Sequence, residues 1–197
     1  MNGVIYIAYG DRAKREAALS IASLKRHNDL PVTVINEAVF NDSQWKTDEQ
    51  KSRWAKVNLP QLVDYDRVLY VDADTRIKGD ITPGFDLLDN WDLAIAPSKN
   101  QGNALFAHIK NEAEKQETLR ELGNWQPLQL QCGLIFLHRQ RCANLFECWR
   151  AEYLRYNDKD QAAFLRALNK CPVRIWLLSQ DWNGENGTII QHLFGKV

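Results

Sequence analysis

The chain has 197 residues, of which 45% are apolar, and this length suits a single domain of ordinary size with a sizeable core. Its 25 basic side chains equal its 25 acidic ones, so no net charge favours nucleic acid or an acidic membrane as a partner. The sequence begins without a basic leader and a long apolar stretch, and no apolar run approaches the roughly 18–20 residues that cross a bilayer. We therefore expect one cytoplasmic domain over residues 1–197, without a transmembrane segment and without affinity for nucleic acid.

Short apolar runs alternate with helical patterns along the chain, which is typical of an α/β fold with a largely parallel sheet. The predicted strands, in chain order, are residues 4–9, 32–35, 68–71, 93–96, 134–137, 173–178 and 188–194. The predicted helices are residues 14–27, 56–63, 141–156 and 161–169. Residues 41–52 predict a polar loop, and residues 101–121 predict a surface helix or a mobile flap.

The four cysteines of the chain follow no pattern that indicates a metal or redox site. They form no Cys-x-x-Cys pair and no zinc-ligand spacing, and most lie among apolar neighbours, where a free thiol packs as a small apolar side chain. We therefore expect free, buried thiols at all four positions, which are Cys132, Cys142, Cys148 and Cys171.

A predicted strand over residues 68–71 runs directly into two carboxylates, Asp72 and Asp74. Because side chains alternate along a strand, these two are expected to point the same way while Ala73 points opposite. Binding sites in open α/β sheets lie at the carboxyl ends of strands, and carboxylate oxygens bind hard divalent cations, which bridge the oxygens of a diphosphate. Taken alone, so short a motif is more often two solvated acids at a strand end.

The sequence around this motif resembles a known family. Residues 53–77, RWAKVNLPQLVDYDRVLYVDADTRI, are similar to the metal-site region of family 8 glycosyltransferases, the glycogenin-like and lipopolysaccharide galactosyltransferase-like retaining enzymes. Further similar segments follow the order of that family: residues 3–28, residues 131–136, Asp160-Gln161, Trp182-Asn183 and residues 192–196. The resemblance implies a single GT-A domain with a mostly parallel central sheet flanked by helices.

The resemblance also implies the roles of particular residues. Asp72, Asp74 and His192 would bind a manganese or magnesium ion, and the imidazole favours manganese. Asp160 and Gln161 would lie against the donor sugar as catalytic residues. The other residues that the resemblance assigns to nucleotide or sugar binding are Ala8, Tyr9, Gly10, Lys56, Ala73, Gln131, Gly133, Gly195 and Lys196.

Four of these residues carry a more specific expectation. Tyr9 either stacks on the nucleotide base or packs in the core, and the sequence leaves both interpretations open. Lys56 would contact the diphosphate or the sugar, and Lys196 would neutralise the charge that develops on the leaving diphosphate. Gly133 would let the sugar approach the backbone closely.

The implied activity is transfer of a hexose from a nucleotide-diphosphate sugar, with uridine the usual base in this family, to a hydroxyl of a glycan, lipid or protein, with retention. The sequence departs from the family at Gln131, where asparagine is usual, and at Lys196, which follows Gly195 directly. Two alternatives stay open. One is a haloacid-dehalogenase-like phosphatase with Asp72 as nucleophile and Asp74 as acid, although that motif normally opens its domain. The other is a non-catalytic protein that binds nucleotide sugars.

Overall fold

A computed structural model describes residues 1–99, 109, 111–123 and 127–196. Six strands form the main sheet: β1 (Asn2–Ile7), β2 (Val32–Ile35), β3 (Arg67–Val71), β5 (Leu93–Pro97), β6 (Leu130–His138) and β7 (Ile175–Leu177). A second sheet pairs β4 (Thr75–Ile77) with β8 (Ile190–His192). The α-helices within the described residues are α1 (Gly10–Leu24), α2 (Asp48–Val57), α3 (Thr82–Asp86), α4 (Glu112–Glu121), α5 (Ala143–Leu154), α6 (Asp160–Lys170) and α7 (Gln180–Asn183).

The main sheet has the strand order β2-β1-β3-β6-β5-β7. Neighbouring strands run parallel except at β6, which is antiparallel to both β3 and β5. The predicted α/β class with a mostly parallel sheet is confirmed. Because β6 enters the sheet in the opposite direction, its first residues lie beside the carboxyl ends of β3 and β5. That edge of the sheet holds the candidate site.

Both faces of the sheet are covered, as is usual for parallel strands. Alternate residues of β3 belong to different core clusters: Val68 and Tyr70 to one, Leu69 and Val71 to the other. The first cluster includes side chains of α2, α5 and α6, and the second includes side chains of α1 and α3. Period-two alternation along the strands therefore divides the core into two layers, and helices on both sides hold the sheet in place.

The start of α2 differs from the sequence prediction. Residues 41–52 were expected to form a loop and residues 56–63 a helix, but α2 covers Asp48–Val57 and is followed by a 3₁₀ turn over Leu59–Gln61. The Thr47 hydroxyl accepts a hydrogen bond from the Gln50 amide, and the Gln50 side chain accepts one from the Thr47 amide. This capping box starts the helix among polar residues, where a search for apolar periodicity detects little.

The prediction of four free thiols is wrong for Cys148 and Cys171, which form a disulfide. Cys148 lies on α5 and Cys171 directly follows α6, and the packing of these two helices brings their Cα atoms to 6.6 Å. Cys132 and Cys142 are free and buried, as expected. Disulfides are rare in cytosolic proteins, so this bond counts against the cytoplasmic location, which stays a prediction.

Two further expectations concern the region before β6 and the membrane. Of residues 101–121, the structure describes α4 and a few neighbours, whereas residues 100–108 and 110 lie outside the described residues. Among the helices that the structure describes, none has both the length and the apolar character that crossing a bilayer requires.

A buried ion-pair network joins the three helices α4, α5 and α6. The fully buried Arg166 of α6 donates to Glu152 at 2.8 Å, to Glu114 at 3.1 Å and to the Thr118 hydroxyl at 2.6 Å. Burial alone would raise the pKa of Glu152, but hydrogen bonds from Lys170, Arg155 and Arg166 lower it to about 2. Removing one partner from such a network leaves a buried charge without compensation, which is strongly destabilising.

We expect the free energy of unfolding to depend on Glu152 in a defined pH window. Because the folded-state pKa lies below the ordinary value of 4.5, the ionised side chain stabilises the fold above that pH, and this contribution is lost as the pH falls toward about 2. Glu152→Gln should therefore be less stable than the wild type at pH 7, and the difference should shrink at pH 3. Denaturant-induced unfolding of both proteins at pH 7 and at pH 3 measures this difference in the free energy of unfolding. Glu147→Gln, at an exposed position of the same helix, is the control, and a pH-independent Glu152→Gln difference would contradict the account.

Candidate active site

The structure brings together the three residues predicted as metal ligands. The strand β3 ends at Val71, and Asp72 and Asp74 lie in the turn before β4 rather than on an extended strand as expected. Pairing of β4 with β8 places His192 opposite Thr75. The His192 Nε2 atom lies 3.2 Å from Asp74 Oδ1 and 3.8 Å from Asp72 Oδ2. One ligand atom from each of the three residues lies within 4.8 Å of the others, which is a spacing that a single cation can bridge.

The imidazole of His192 is buried and oriented by a second residue, Asn183 of α7. Its Nδ1 atom lies 2.8 Å from Asn183 Oδ1. Because an amide oxygen only accepts hydrogen bonds, Nδ1 is the donor in this contact, and Nε2 faces the two carboxylates. Such outer hydrogen bonds fix the tautomer of metal-binding histidines. The sequence suggested only that Asn183 belongs to a family motif, and it gave no signal of this contact.

The chain's last described segment contacts Asp74 as well. The Gly195 amide donates to Asp74 Oδ2 at 2.6 Å, and the Leu193 amide donates to the Asp74 carbonyl at 2.9 Å. Burial would raise the pKa of Asp74, but the contacts with His192 and the Gly195 amide lower it overall. Gly195 has φ +76°, a left-handed conformation that favours glycine. The predicted site residue Gly195 is therefore placed beside a predicted metal ligand.

Gly133 of β6 has no side chain, and this leaves room for the Asp72 carboxylate and the His192 imidazole beside it. A Cβ atom at this position would lie 2.5 Å from Asp72 Oδ2 and 2.5 Å from His192 Cε1. The Gly133 carbonyl also accepts a hydrogen bond from the Asp72 amide at 2.7 Å. The structure thus gives this glycine a role that the sequence did not suggest, in addition to the predicted approach of a sugar.

Lys56 forms a buried bridge between two acids from distant parts of the chain. Its Nζ atom lies 2.9 Å from Asp160 Oδ2 and 3.4 Å from Asp72 Oδ1. Burial would lower the pKa of Lys56, but Asp160 and Asp72 raise it well above its ordinary value. Burial would likewise raise the pKa of Asp160, but Lys56 lowers it. Both side chains are therefore charged at neutral pH, and the Tyr70 hydroxyl donates to Asp72 from the other side.

Two cavities adjoin this cluster, and Asp160 lines both. The smaller cavity, of about 440 Å³, is lined by Ile7, Arg12, Ala13, Glu16, Glu49, Ser52, Arg53, Lys56, Tyr70, Asp72, Ala73, Asp74, Asp160 and Gly195. The larger cavity, of about 730 Å³, is lined by Pro97, Ser98, Lys99, Gln131, Lys159, Asp160, Gln161, Gln180, Asn183, Glu185 and Phe194. Two cavities of this size that share a lining residue suit a small molecule that extends past Asp72 and Asp74.

Other residues that were predicted for the site lie differently. Ala8 and Tyr9 are buried, and Tyr9 packs in the first core cluster while its hydroxyl donates to the Phe40 carbonyl. The core interpretation of Tyr9 is therefore the one that its contacts match. Gly10 begins α1 with φ +79°. Lys196 is exposed, and its Nζ atom lies 2.9 Å from Glu185 Oε2 at the wall of the larger cavity.

No protein-family model and no curated protein sequence matches the chain, but several solved structures are similar to it. Mouse xyloside xylosyltransferase 1, in its apo form, has a TM-score of 0.66 at 13% identity, over 100% of this chain and 99% of that one. The galactosyltransferase LgtC, solved with donor and acceptor sugar analogs, has a TM-score of 0.62 at 15% identity, over 99% and 87%. The glycosyltransferase GlyE of Streptococcus pneumoniae has a TM-score of 0.64 at 17% identity, over 98% and 54%.

These three structures are glycosyltransferases, and the chain spans nearly the whole of the xylosyltransferase but only about half of GlyE. The shared architecture is the GT-A fold that the sequence resemblance implied. At these identities the similarity establishes the fold of the chain.

We expect Gly133→Ala to weaken metal binding while the protein stays folded. The added methyl group would displace Asp72 or His192, and misplacing one ligand typically costs tenfold or more in affinity. Titration with Mn²⁺, followed by the electron paramagnetic resonance signal of the free ion, measures the dissociation constant. Gly79→Ala is the matched control because a Cβ there meets nothing within 4 Å. Equal Mn²⁺ affinities for Gly133→Ala and Gly79→Ala would show that Gly133 does not set the ligand spacing.

Proposed function

We propose that the protein is a metal-dependent glycosyltransferase of the family 8 type, which moves a hexose from a UDP-sugar to a hydroxyl of a glycan, lipid or protein. One observation carries the proposal: Asp72, Asp74 and His192 converge at the carboxyl edge of the sheet, where Asp72 and Asp74 line the smaller cavity and Asp160 lines both cavities. Ligands of open α/β sheets bind at this edge. A nucleotide diphosphate in the smaller cavity and a sugar in the larger one would meet at this cluster.

The three side chains fit a manganese or magnesium ion as ligands. Two carboxylates provide hard oxygen donors, and the imidazole, whose Nε2 faces them, favours manganese. When bound, such an ion would neutralise the negative charge of the diphosphate leaving group. The orientation of His192 by Asn183 and the space beside Gly133 support this assignment.

The charged pair Lys56 and Asp160 suits the chemistry at the sugar. In the proposed transfer the bond from the anomeric carbon to the phosphate oxygen breaks, and its electrons leave with the diphosphate. A new bond forms to the acceptor oxygen, whose proton passes to the leaving diphosphate. Asp160, ionised beside Lys56, would stabilise the positive charge that develops on the sugar ring. Retention follows from the family resemblance, and NMR of the product anomer distinguishes it from inversion.

The alternatives from the sequence have less support. The phosphatase hypothesis places Asp72 in a motif that opens its domain, whereas here β1, α1 and β2 come first, and the similar structures over the whole chain are glycosyltransferases. A non-catalytic nucleotide-sugar-binding protein shares the fold and the site. Turnover of a UDP-sugar distinguishes the enzyme from that protein.

We expect UDP to bind only when manganese is present, because the ion links the diphosphate to the carboxylates. Asp74→Asn should abolish binding, since it removes a charged ligand that also contacts His192 and Gly195. Calorimetric titration of UDP, with and without Mn²⁺, measures both effects. Asp86→Asn, at an exposed position of α3, should leave binding unchanged. Metal-independent UDP binding, or full affinity in Asp74→Asn, would overturn the proposed function.

A further inference from the structure

Three glutamine side chains form a hydrogen-bonded chain along the wall of the larger cavity. Gln129 lies just before β6, Gln131 lies on that strand, and Gln161 is the second residue of α6. Gln129 Nε2 donates to Gln161 Oε1 at 2.6 Å, and Gln161 Nε2 lies 3.5 Å from Gln131 Oε1. Gln131 and Gln161 line the cavity, whereas Gln129 is fully buried behind them.

The direction of this chain is fixed at one end by the backbone. The Gly133 amide lies 2.6 Å from the Gln131 side-chain oxygen, and because a backbone N–H only donates, that oxygen must be the acceptor. If the amide group of Gln161 were flipped, its oxygen would face the oxygen of Gln131, and the two acceptors would repel each other. The NH₂ group of Gln161 therefore faces Gln131. The oxygen of Gln161 then needs a donor on its other side, and the Gln129 NH₂ group is that donor.

We propose that Gln129 is a positioning residue for the donor sugar. Because the Gln129 NH₂ group donates to the side-chain oxygen of Gln161, Gln161 directs its NH₂ group toward the larger cavity. There an N–H of Gln161 would donate to an oxygen of the sugar, either a hydroxyl or the ring oxygen. Gln129 itself touches no ligand in this scheme. The inference rests on the proposed function, because it assigns the sugar of a UDP-sugar to the larger cavity.

Two substitutions change the orientation of Gln161 in different ways. In Gln129→Glu an ionised carboxylate only accepts hydrogen bonds, so Gln161 turns its NH₂ group toward it and presents an oxygen to the cavity. In Gln129→Met the side chain keeps a similar volume but loses the donor, so Gln161 is free to adopt both orientations. Gln129→Met introduces no buried charge, and it therefore provides the measurement even where Gln129→Glu does not fold.

The test compares the affinity for UDP with the affinity for UDP-glucose and UDP-galactose, by calorimetric titration with Mn²⁺. A neutral hydrogen bond contributes a factor of roughly 2 to 12 in affinity. We expect the preference for the UDP-sugar over UDP to fall about tenfold in Gln129→Glu and about threefold in Gln129→Met, with UDP affinity unchanged. Gln140→Glu, an exposed substitution near the opposite end of β6, should match the wild type.

The possible results separate the two proposals. An unchanged preference in both variants, with intact UDP binding, overturns the role of Gln129 and leaves the proposed function standing. Equal losses of UDP and UDP-sugar affinity show a general structural role of Gln129 and also overturn the inference. Absence of manganese-dependent UDP binding in the wild type overturns the proposed function, and the inference with it.

Discussion

Two carboxylates that repel each other, Asp72 and Asp74, occupy the centre of this structure, and the surrounding elements compensate their charge. At a separation of about 5 Å near a protein surface, two like charges repel by on the order of 3 kcal/mol. Lys56 contacts Asp72, while His192 and the Gly195 amide contact Asp74. Only part of this compensation is a fixed positive charge. The cluster of Asp72, Asp74 and His192 is therefore suited to a divalent cation. Segments that are distant in the sequence come together in the fold to form this cluster.

The fold supplies each of these contacts through a different element. The parallel strand β3 ends at the two acids, and the antiparallel β6 brings Gly133 beside them, where the Asp72 amide donates to its carbonyl. The small sheet of β4 and β8 adds His192 from near the end of the chain. Helix α6 begins at Asp160 and closes the site opposite α2 and Lys56. Asp160 lines both cavities, an arrangement that suits the proposed donor, with its nucleotide part and its sugar part.

Whether a contact could be predicted from the sequence depends on how far apart along the chain its two residues lie. The acids after a buried strand were visible locally, and the order of the family motifs predicted that His192, Asp160 and Gln161 belong to the same site. The pairing of Lys56 with Asp160 joins residues 104 positions apart, and no local pattern encodes it. The disulfide between Cys148 and Cys171 depends on the packing of α5 against α6.

One local signal was misinterpreted and another was ambiguous. The capping box at Thr47 starts α2 in a stretch with few apolar residues, so periodicity placed the helix too late. Tyr9 ends an apolar strand, and an aromatic side chain there is compatible with both base stacking and core packing. Its burial follows from contacts with distant residues such as Phe40. The roles of Gly133, Asn183 and Gln129 became visible only when their neighbours in space were known.

The central claim is that Asp72, Asp74 and His192 hold the ion that binds the donor diphosphate. Crystals grown with Mn²⁺ and UDP, measured at a wavelength where manganese scatters anomalously, test it most directly. The account predicts one anomalous peak among these three side chains, with density for the diphosphate joined to it. A manganese peak elsewhere, or UDP bound away from the peak, would contradict it.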